Sequence, residues 1–263
     1  MTNLSAQSIS FGYGRETSVL ERLTLQLQPG ELLVLLGGNG SGKTTLMRLL
    51  AGHLRAQNGQ VTLDEQAIQT WSRTEIAKRL TLMPQFERCD LDFSVREMVQ
   101  LGRTAHRGWC MPFGSDDERA VNQALTLTGL RDLETRPIKT LSGGQWRRAV
   151  LARSLAQESS ILLLDEPTSG LDLRHQFECL ERLQTLVAEN GWIAVVTLHD
   201  LNHAAMFADR VAIVADRSLL AIGEPERVLT EQLIEEAFGI RVIVARHPVH
   251  GTPLIVPTKQ AVS

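Results

Sequence analysis

A glycine-rich run ending in lysine and threonine is the first place along the chain where chemistry could occur. Gly37-Gly38-Asn39-Gly40-Ser41-Gly42-Lys43-Thr44 has the spacing GxxxxGK[ST]. Glycine lets the backbone curl so that successive N–H groups point at one phosphate, the β-phosphate of a nucleotide. Lys43 would then bridge the β- and γ-phosphates, and the Thr44 hydroxyl would ligate Mg²⁺. A second candidate is the acid pair Asp165-Glu166, directly after the apolar run Ile161-Leu162-Leu163-Leu164. Such a run implies a strand buried on both faces, which places the two acids at its C-terminal edge, where α/β sheets bind ligands. Asp165 would hold Mg²⁺ through water, as suits a hard ion that dehydrates reluctantly. Glu166 would polarise an attacking water as general base. His199 ends another such run, "IAVVTLH", and Gln85 follows "LTLMP". Taken singly, the histidine reads as a structural residue at a strand end and the glutamine as a turn residue.

"LSGGQWRR", residues 141–148, raises a different question. Ala149, Val150, Leu151, Ala152, Leu155 and Ala156 have the pattern of a buried helix face. Glycine inside a helix costs about 1 kcal/mol relative to alanine, but at a helix start it leaves backbone N–H groups bare. A bare helix N-terminus is an anion site. Ser142-Gly143-Gly144 therefore implies a second anion-binding element, far along the chain from the first.

These residues must be carried by a framework, and the framework is legible. The first thirty or so positions alternate apolar and polar, as in "LTLQLQ", which predicts antiparallel strands. "ELLVLLGGNGSGKTTLMRLLAG" runs from buried strand to glycine loop to helix, closed by Gly52. "VTLDEQ" reads as an edge strand and "LTLMPQ" as a short strand stopped by Pro84. From about residue 87 to 158 the pattern is helical, with capping boxes expected at Ser94/Glu97 and Ser115/Glu118. "ILLLDEP", "WIAVVTLHD" and "VAIVADRSLLAIGEP" return to strands, with a helix around Phe177, Leu180, Leu183 and Leu186. A final helix runs from Thr230 to Gly239, followed by a strand containing "VIV". The expected fold is α/β: a mostly parallel core sheet, an antiparallel N-terminal β-subdomain and an inserted helical subdomain.

With 263 residues, 43% hydrophobic, the chain can bury one large core or two small ones. A net charge of −3 gives no footprint for nucleic acid, and none is expected as a partner. Cys89, Cys110 and Cys179 lie far apart with no CxxC spacing, which argues against a disulfide framework or a zinc site and fits a reducing compartment. "MTNLSAQSIS" lacks the basic flank and apolar run of a signal peptide, and runs such as "LLVLL" fall well short of the ~20 residues a membrane span needs. A soluble, cytosolic chain is expected.

In their order along nearly the whole chain, these elements resemble the ATP-binding-cassette family. "GGNGSGKT" looks like its Walker A loop, Gln85 its Q-loop, "LSGGQ" its signature motif, "ILLLDE" its Walker B strand, "SGLD" its D-loop and His199 its switch histidine. The resemblance implies a P-loop NTPase fold, ATP as substrate and Mg²⁺ as cofactor. It implies that Tyr13 stacks on adenine, that Gly37 to Thr45 (Thr45 included) cradle the phosphates, and that Gln85 and Asp165 organise Mg²⁺ and water. Lys43, Glu166 and His199 would act at the γ-phosphate. In ATP-driven dimers of the family two cassettes meet head to tail, so Ser142, Gly143, Gly144 and Gln145 would cover ATP held by a second copy, with Asp172 linking the two sites. Two positions depart from the family pattern. Gly38 stands where proline is usual, and Trp146 where a polar residue is commoner; Trp146 either packs on its own helix or touches the partner cassette.

The domain expectation is an ATPase domain over 1–240, with the helical subdomain at about 87–158 and a short extension over 241–263. One cassette per chain is unlike translation-type members, and no heptad run separates the motifs as in chromosome-maintenance members. Without membrane spans of its own, the chain would need a dimeric permease, docked near the Q-loop and helical subdomain. That places it on the cytoplasmic face of the inner membrane, with an extracytoplasmic substrate-binding protein as an indirect partner. "TLHDLNHAAMFADRV", "GEPERVLTEQLIEEAFGIRV" and "HGTPLIVP" are similar to importer ATPases for ferric siderophores, haem and cobalamin, with the siderophore branch favoured. The alternatives are an importer ATPase for haem, cobalamin or another metal chelate and, behind it, a soluble ATPase of iron–sulfur assembly.

Overall fold

The computed structural model describes residues 2–14, 18–85, 92–107 and 112–258. Cys89, Cys110 and the expected start of the helical insertion at residue 87 fall outside the described residues. In chain order the elements begin with β1 (Leu4–Gly12), β2 (Ser18–Gln26), β3 (Glu31–Leu36), α1 (Lys43–Leu50), β4 (Asn58–Leu63) and β5 (Gln66–Ala67). Next come α2 (Arg73–Arg79), β6 (Leu80–Met83), α3 (Val95–Gln100), α4 (Ser115–Leu127), α5 (Gly143–Ala156) and β7 (Ile161–Asp165). The remainder is α6 (Leu173–Asn190), β8 (Ile193–Thr197), α7 (Leu201–Phe207), β9 (Arg210–Ala215), β10 (Ser218–Gly223), α8 (Pro225–Val228), α9 (Glu231–Phe238), β11 (Val242–Arg246) and β12 (Pro253–Pro257).

The central sheet has the order β10-β9-β3-β8-β7-β6, with β6, β7, β8, β3 and β9 parallel and β10 antiparallel at one edge. A second, antiparallel sheet has the order β2-β1-β4-β5. Alternate residues of the central strands feed two cores. Val34, Leu162, Leu164 and Val196 pack with α5, α6 and the inserted helices. Leu33, Leu35, Leu163 and Val195 pack with α1 and the antiparallel sheet. Covered on both faces, these strands have no polar side to show, hence their unbroken apolar runs.

Three local expectations meet different outcomes. Ser94 and Glu97 form the expected reciprocal capping box at α3. At α4 the cap lies one residue earlier than Ser115: Gly114 is the N-cap, and the Asp117 carboxylate accepts its N–H at 3.1 Å. The reason is competition for the carboxylates, since Arg96 engages Glu118 while Arg103 holds Asp117 in place at 2.9 Å. "VTLDEQ" is also not one edge strand but a hairpin. Asp64 and Glu65 both adopt positive φ (49° and 65°), making a two-residue turn between β4 and β5. Trp146 is half-buried against the first core.

Candidate functional site

The site is built where four parallel strands end side by side. β3, β8, β7 and β6 are neighbours, so Gly37, His199, Glu166 and Gln85 emerge on one rim. The β3–α1 loop can turn tightly only with glycine. A Cβ on Gly37 (φ 152°) would lie 2.3 Å from the Val214 carbonyl oxygen, and one on Gly42 (φ 103°) 2.8 Å from Leu20 Cδ2. Gly42 caps α1, whose first N–H groups, from Lys43, Thr44 and Thr45, have no partner within the helix. The Lys43 ammonium donates to the carbonyls of Gly37 (2.8 Å) and Gly38 (3.0 Å). Burial lowers the Lys43 pKa, and the nearby carboxylates of Asp165 and Glu166 oppose that shift.

Asp165, buried at the end of β7, accepts from the Thr44 hydroxyl at 2.8 Å and the Thr197 hydroxyl at 2.6 Å. Glu166 has φ 52°, an unfavourable backbone state for a residue with a side chain. Its N–H donates to Thr197 Oγ1 at 2.8 Å, and its carboxylate oxygen Oε1 accepts from Gln85 Nε2 and His199 Nε2, each at 2.6 Å. Tyr13 lies across the loop, 49% exposed, its ring held edge-on against Phe11 and its hydroxyl in a 3.4 Å hydrogen bond to Thr45.

Tyr13, Lys43, Thr44, Gln85, Glu166 and His199 all line one open cleft of about 320 Å³, together with Asn39 to Gly42, Thr45 and Asp165. Gly37 and Gly38 lie behind it, bound to Lys43. Ser41 Oγ is buried with no hydrogen-bond partner among the described residues. An orphaned hydroxyl, bare helix N–H groups and a lysine fit a polyphosphate. The oxygen-only pair Thr44–Asp165 fits a hard divalent ion such as Mg²⁺.

Ser142, Gly143, Gly144, Gln145 and Asp172 do not line this cleft. Ser142 is the N-cap of α5, and Ser142 and Gln145 form a reciprocal capping box. A Cβ on Gly144 would stand 3.0 Å from the Gly170 carbonyl oxygen, whereas one on Gly143 would meet nothing within 4 Å among the described residues. Asp172 caps α6, accepting from the backbone and ring of His175, which together hold its carboxyl below the usual range.

Sequence reasoning missed two residues. Thr197 fixes both Asp165 and Glu166; its signal was a lone hydroxyl ending an apolar strand. Arg147, also buried, donates to the carbonyls of Pro84, Gln85, Asp165 and Glu166. It shares a helix face with the buried Val150, Leu151 and Ser154, a spacing that sets it apart from a solvated arginine.

Residues 20–169 match the family model for the ABC transporter. The chain is 38% identical over 257 residues to the ferric enterobactin transport ATP-binding protein FepC of Escherichia coli (strain K12), covering 98% of this chain and 94% of FepC. It is 40% identical over 261 residues to the hemin import ATP-binding protein HmuV of Pseudomonas fluorescens (strain Pf0-1), covering 96% and 99%. A solved metal-chelate type ABC transporter in an inward-facing conformation superposes with a TM-score of 0.84 at 28% identity, covering 99% of both chains. The fold is that of a P-loop ATPase. The chain belongs to the ABC transporter family and is an ATP-binding, ATP-hydrolysing subunit. ATPases of such importers work with membrane permease subunits and dimerise. No helix among the described residues is long and apolar enough to cross a membrane.

Proposed function

We propose that this chain drives import of ferric siderophores, as two head-to-tail copies bound to a dimeric permease at the cytoplasmic face of the membrane. An extracytoplasmic binding protein would deliver the cargo. The observation that carries the cargo class is likeness over the full length, tail included, to siderophore-transport ATPases such as FepC. Haem import is the second reading, favoured by comparable identity to HmuV.

The chemistry follows from the cleft. Tyr13 offers an exposed ring face for adenine, and the loop from Gly37 to Thr45 presents N–H donors and Ser41 Oγ to the phosphates. Thr44, Asp165 and Gln85 would hold Mg²⁺, which supplies charge neutralisation between the β- and γ-phosphates. Gln85 and His199 both donate to Oε1 of Glu166, which leaves Oε2 to take the proton of the attacking water. Ser142, Gly143 and Gly144 of the second copy close the site over the γ-phosphate, with the dipole of α5 behind them. Gly143 supports this: nothing among the described residues requires glycine there.

A groove beside the Q-loop suits the permease. It is lined by Trp71, Ile76, Leu82, Leu101, Gly102 and Arg153, between α2, β6 and the helical insertion.

Reconstitution tests the reading. Tagged Glu166→Gln protein is used to capture its permease from solubilised membranes, and the wild-type complex is then placed in vesicles with labelled cargo. ATP-dependent uptake of a ferric siderophore is expected. Uptake of haem alone would move the assignment to haem, and recovery with soluble proteins only would move it to the assembly-type ATPase.

A further inference from the structure

The buried Arg147 is not used by any step above, yet it reaches more of the catalytic backbone than any other side chain described. Its guanidinium donates to Pro84 O (2.9 Å) and Gln85 O (2.8 Å) on one side. On the other it donates to Glu166 O through both Nε (3.0 Å) and Nη2 (2.7 Å), and to Asp165 O. These carbonyls belong to two separate strand ends, β6 and β7. Arg147 itself sits two residues beyond the signature motif, in the first half of α5.

We propose that Arg147 is a positioning residue for hydrolysis, a clasp that sets Gln85 and Glu166 according to the attitude of α5. The argument rests on the reading of Glu166 as the base. Glu166 holds a positive φ, a state that persists only when surroundings over-determine it. Thr197 fixes its N–H, and Arg147, with the Ser169 N–H at 3.2 Å, fixes its carbonyl oxygen. With both flanking peptide groups held, the side chain is aimed at Gln85 and His199. The fork geometry of arginine allows one group to span the two loops, which an ammonium with a single nitrogen cannot do. Because Arg147 rides on the helix whose N-terminus faces the second copy, a tilt of α5 on closure reaches the base of the same chain through one rigid group. Closure over one ATP thereby adjusts the water-activating residues at the other.

Arg147→Ala, Arg147→Gln and Arg147→Lys in the full chain test this, assayed below their melting temperatures. The expected result for Arg147→Ala is a kcat lower by about 10- to 100-fold, the scale of a misplacement near 1 Å. KM for ATP should change by less than about twofold, because ground-state binding is untouched. Arg147→Lys should recover only part of the loss, and Arg147→Gln should behave like Arg147→Ala. Retention of ADP with aluminium fluoride, which mimics the transition state, should fall with kcat. Retention of ADP with beryllium fluoride, which mimics bound ATP, should not. A parental kcat in Arg147→Ala, or equal losses in the two fluoride complexes, would overturn the proposal. If Arg147→Ala fails to fold, Arg147→Lys reads the same quantities. Glu166→Gln run in parallel separates the two claims: parental turnover there removes the base assignment, whatever Arg147 does.

Discussion

At the scale of single residues, the catalytic proposal turns on Glu166 and what touches it. Its carboxylate is bonded by Gln85 and His199 at 2.6 Å each, while the neighbouring Asp165 is bonded to Thr44 and Thr197. Two adjacent acids thus have separate environments: one faces the hydroxyl suited to a metal ion, the other faces two N–H donors at the cleft. Glu166→Gln should keep ATP binding and lower turnover by roughly 10²–10⁴, since the amide keeps the shape and loses the basic oxygen. Steady-state hydrolysis beside nucleotide-binding titration checks this, and turnover at the parental rate would remove Glu166 from the role. The sequence exposed Lys43, Thr44, Asp165 and Glu166 because their spacing carries chemistry by itself. Gln85 and His199 read as bland taken singly and were singled out only by the family resemblance; the parallel sheet brings both to one carboxylate. Thr197 and Arg147 stayed hidden because each acts through the backbone of another residue, and nothing in a linear pattern marks a carbonyl as an acceptor.

At the scale of elements, α5 holds the most information. Its two N-terminal glycines have different causes. Gly144 is needed inside the chain, because a Cβ there would press on the Gly170 carbonyl oxygen at 3.0 Å. Gly143 has open space around it among the described residues, which leaves room for the second copy proposed above. Gly143→Ala should therefore leave stability unchanged or raise it by up to about 1 kcal/mol, yet lower turnover by about tenfold or more as the methyl intrudes on the closed site. Thermal melting and ATPase rates measured on one preparation decide it. A variant as active as the parent would show that nothing packs on Gly143 during the cycle. The strands β3, β7 and β8 were legible because burial on both faces writes an unbroken apolar run, and α6 because burial on one face writes a helical period. The β4–β5 hairpin was not, because Asp64-Glu65 takes a turn conformation usually filled by asparagine or glycine. The α4 cap lies at Gly114 because Arg96, distant in sequence, engages Glu118, while Asp117, held by Arg103, accepts the Gly114 N–H.

At the scale of the whole molecule, the sheet order gathers one half of a catalytic site on the rim and leaves the signature residues outside its cleft. A phosphate loop, a carboxylate aimed into the cleft and a separate capped helix start are the parts that the proposed head-to-tail pair would share between two copies. The composition could set the class of fold, since 43% hydrophobic residues in 263 allow a doubly covered sheet, but it could not show which half-sites meet. That depends on a second copy. The most direct test is the molar mass of full-length Glu166→Gln protein by light scattering, at saturating ATP with Mg²⁺, with and without its permease. The account predicts an ATP-dependent dimer that is lost when Ser142→Arg is added to block the second half-site. A protein that stays monomeric at saturating ATP with the permease present would contradict it.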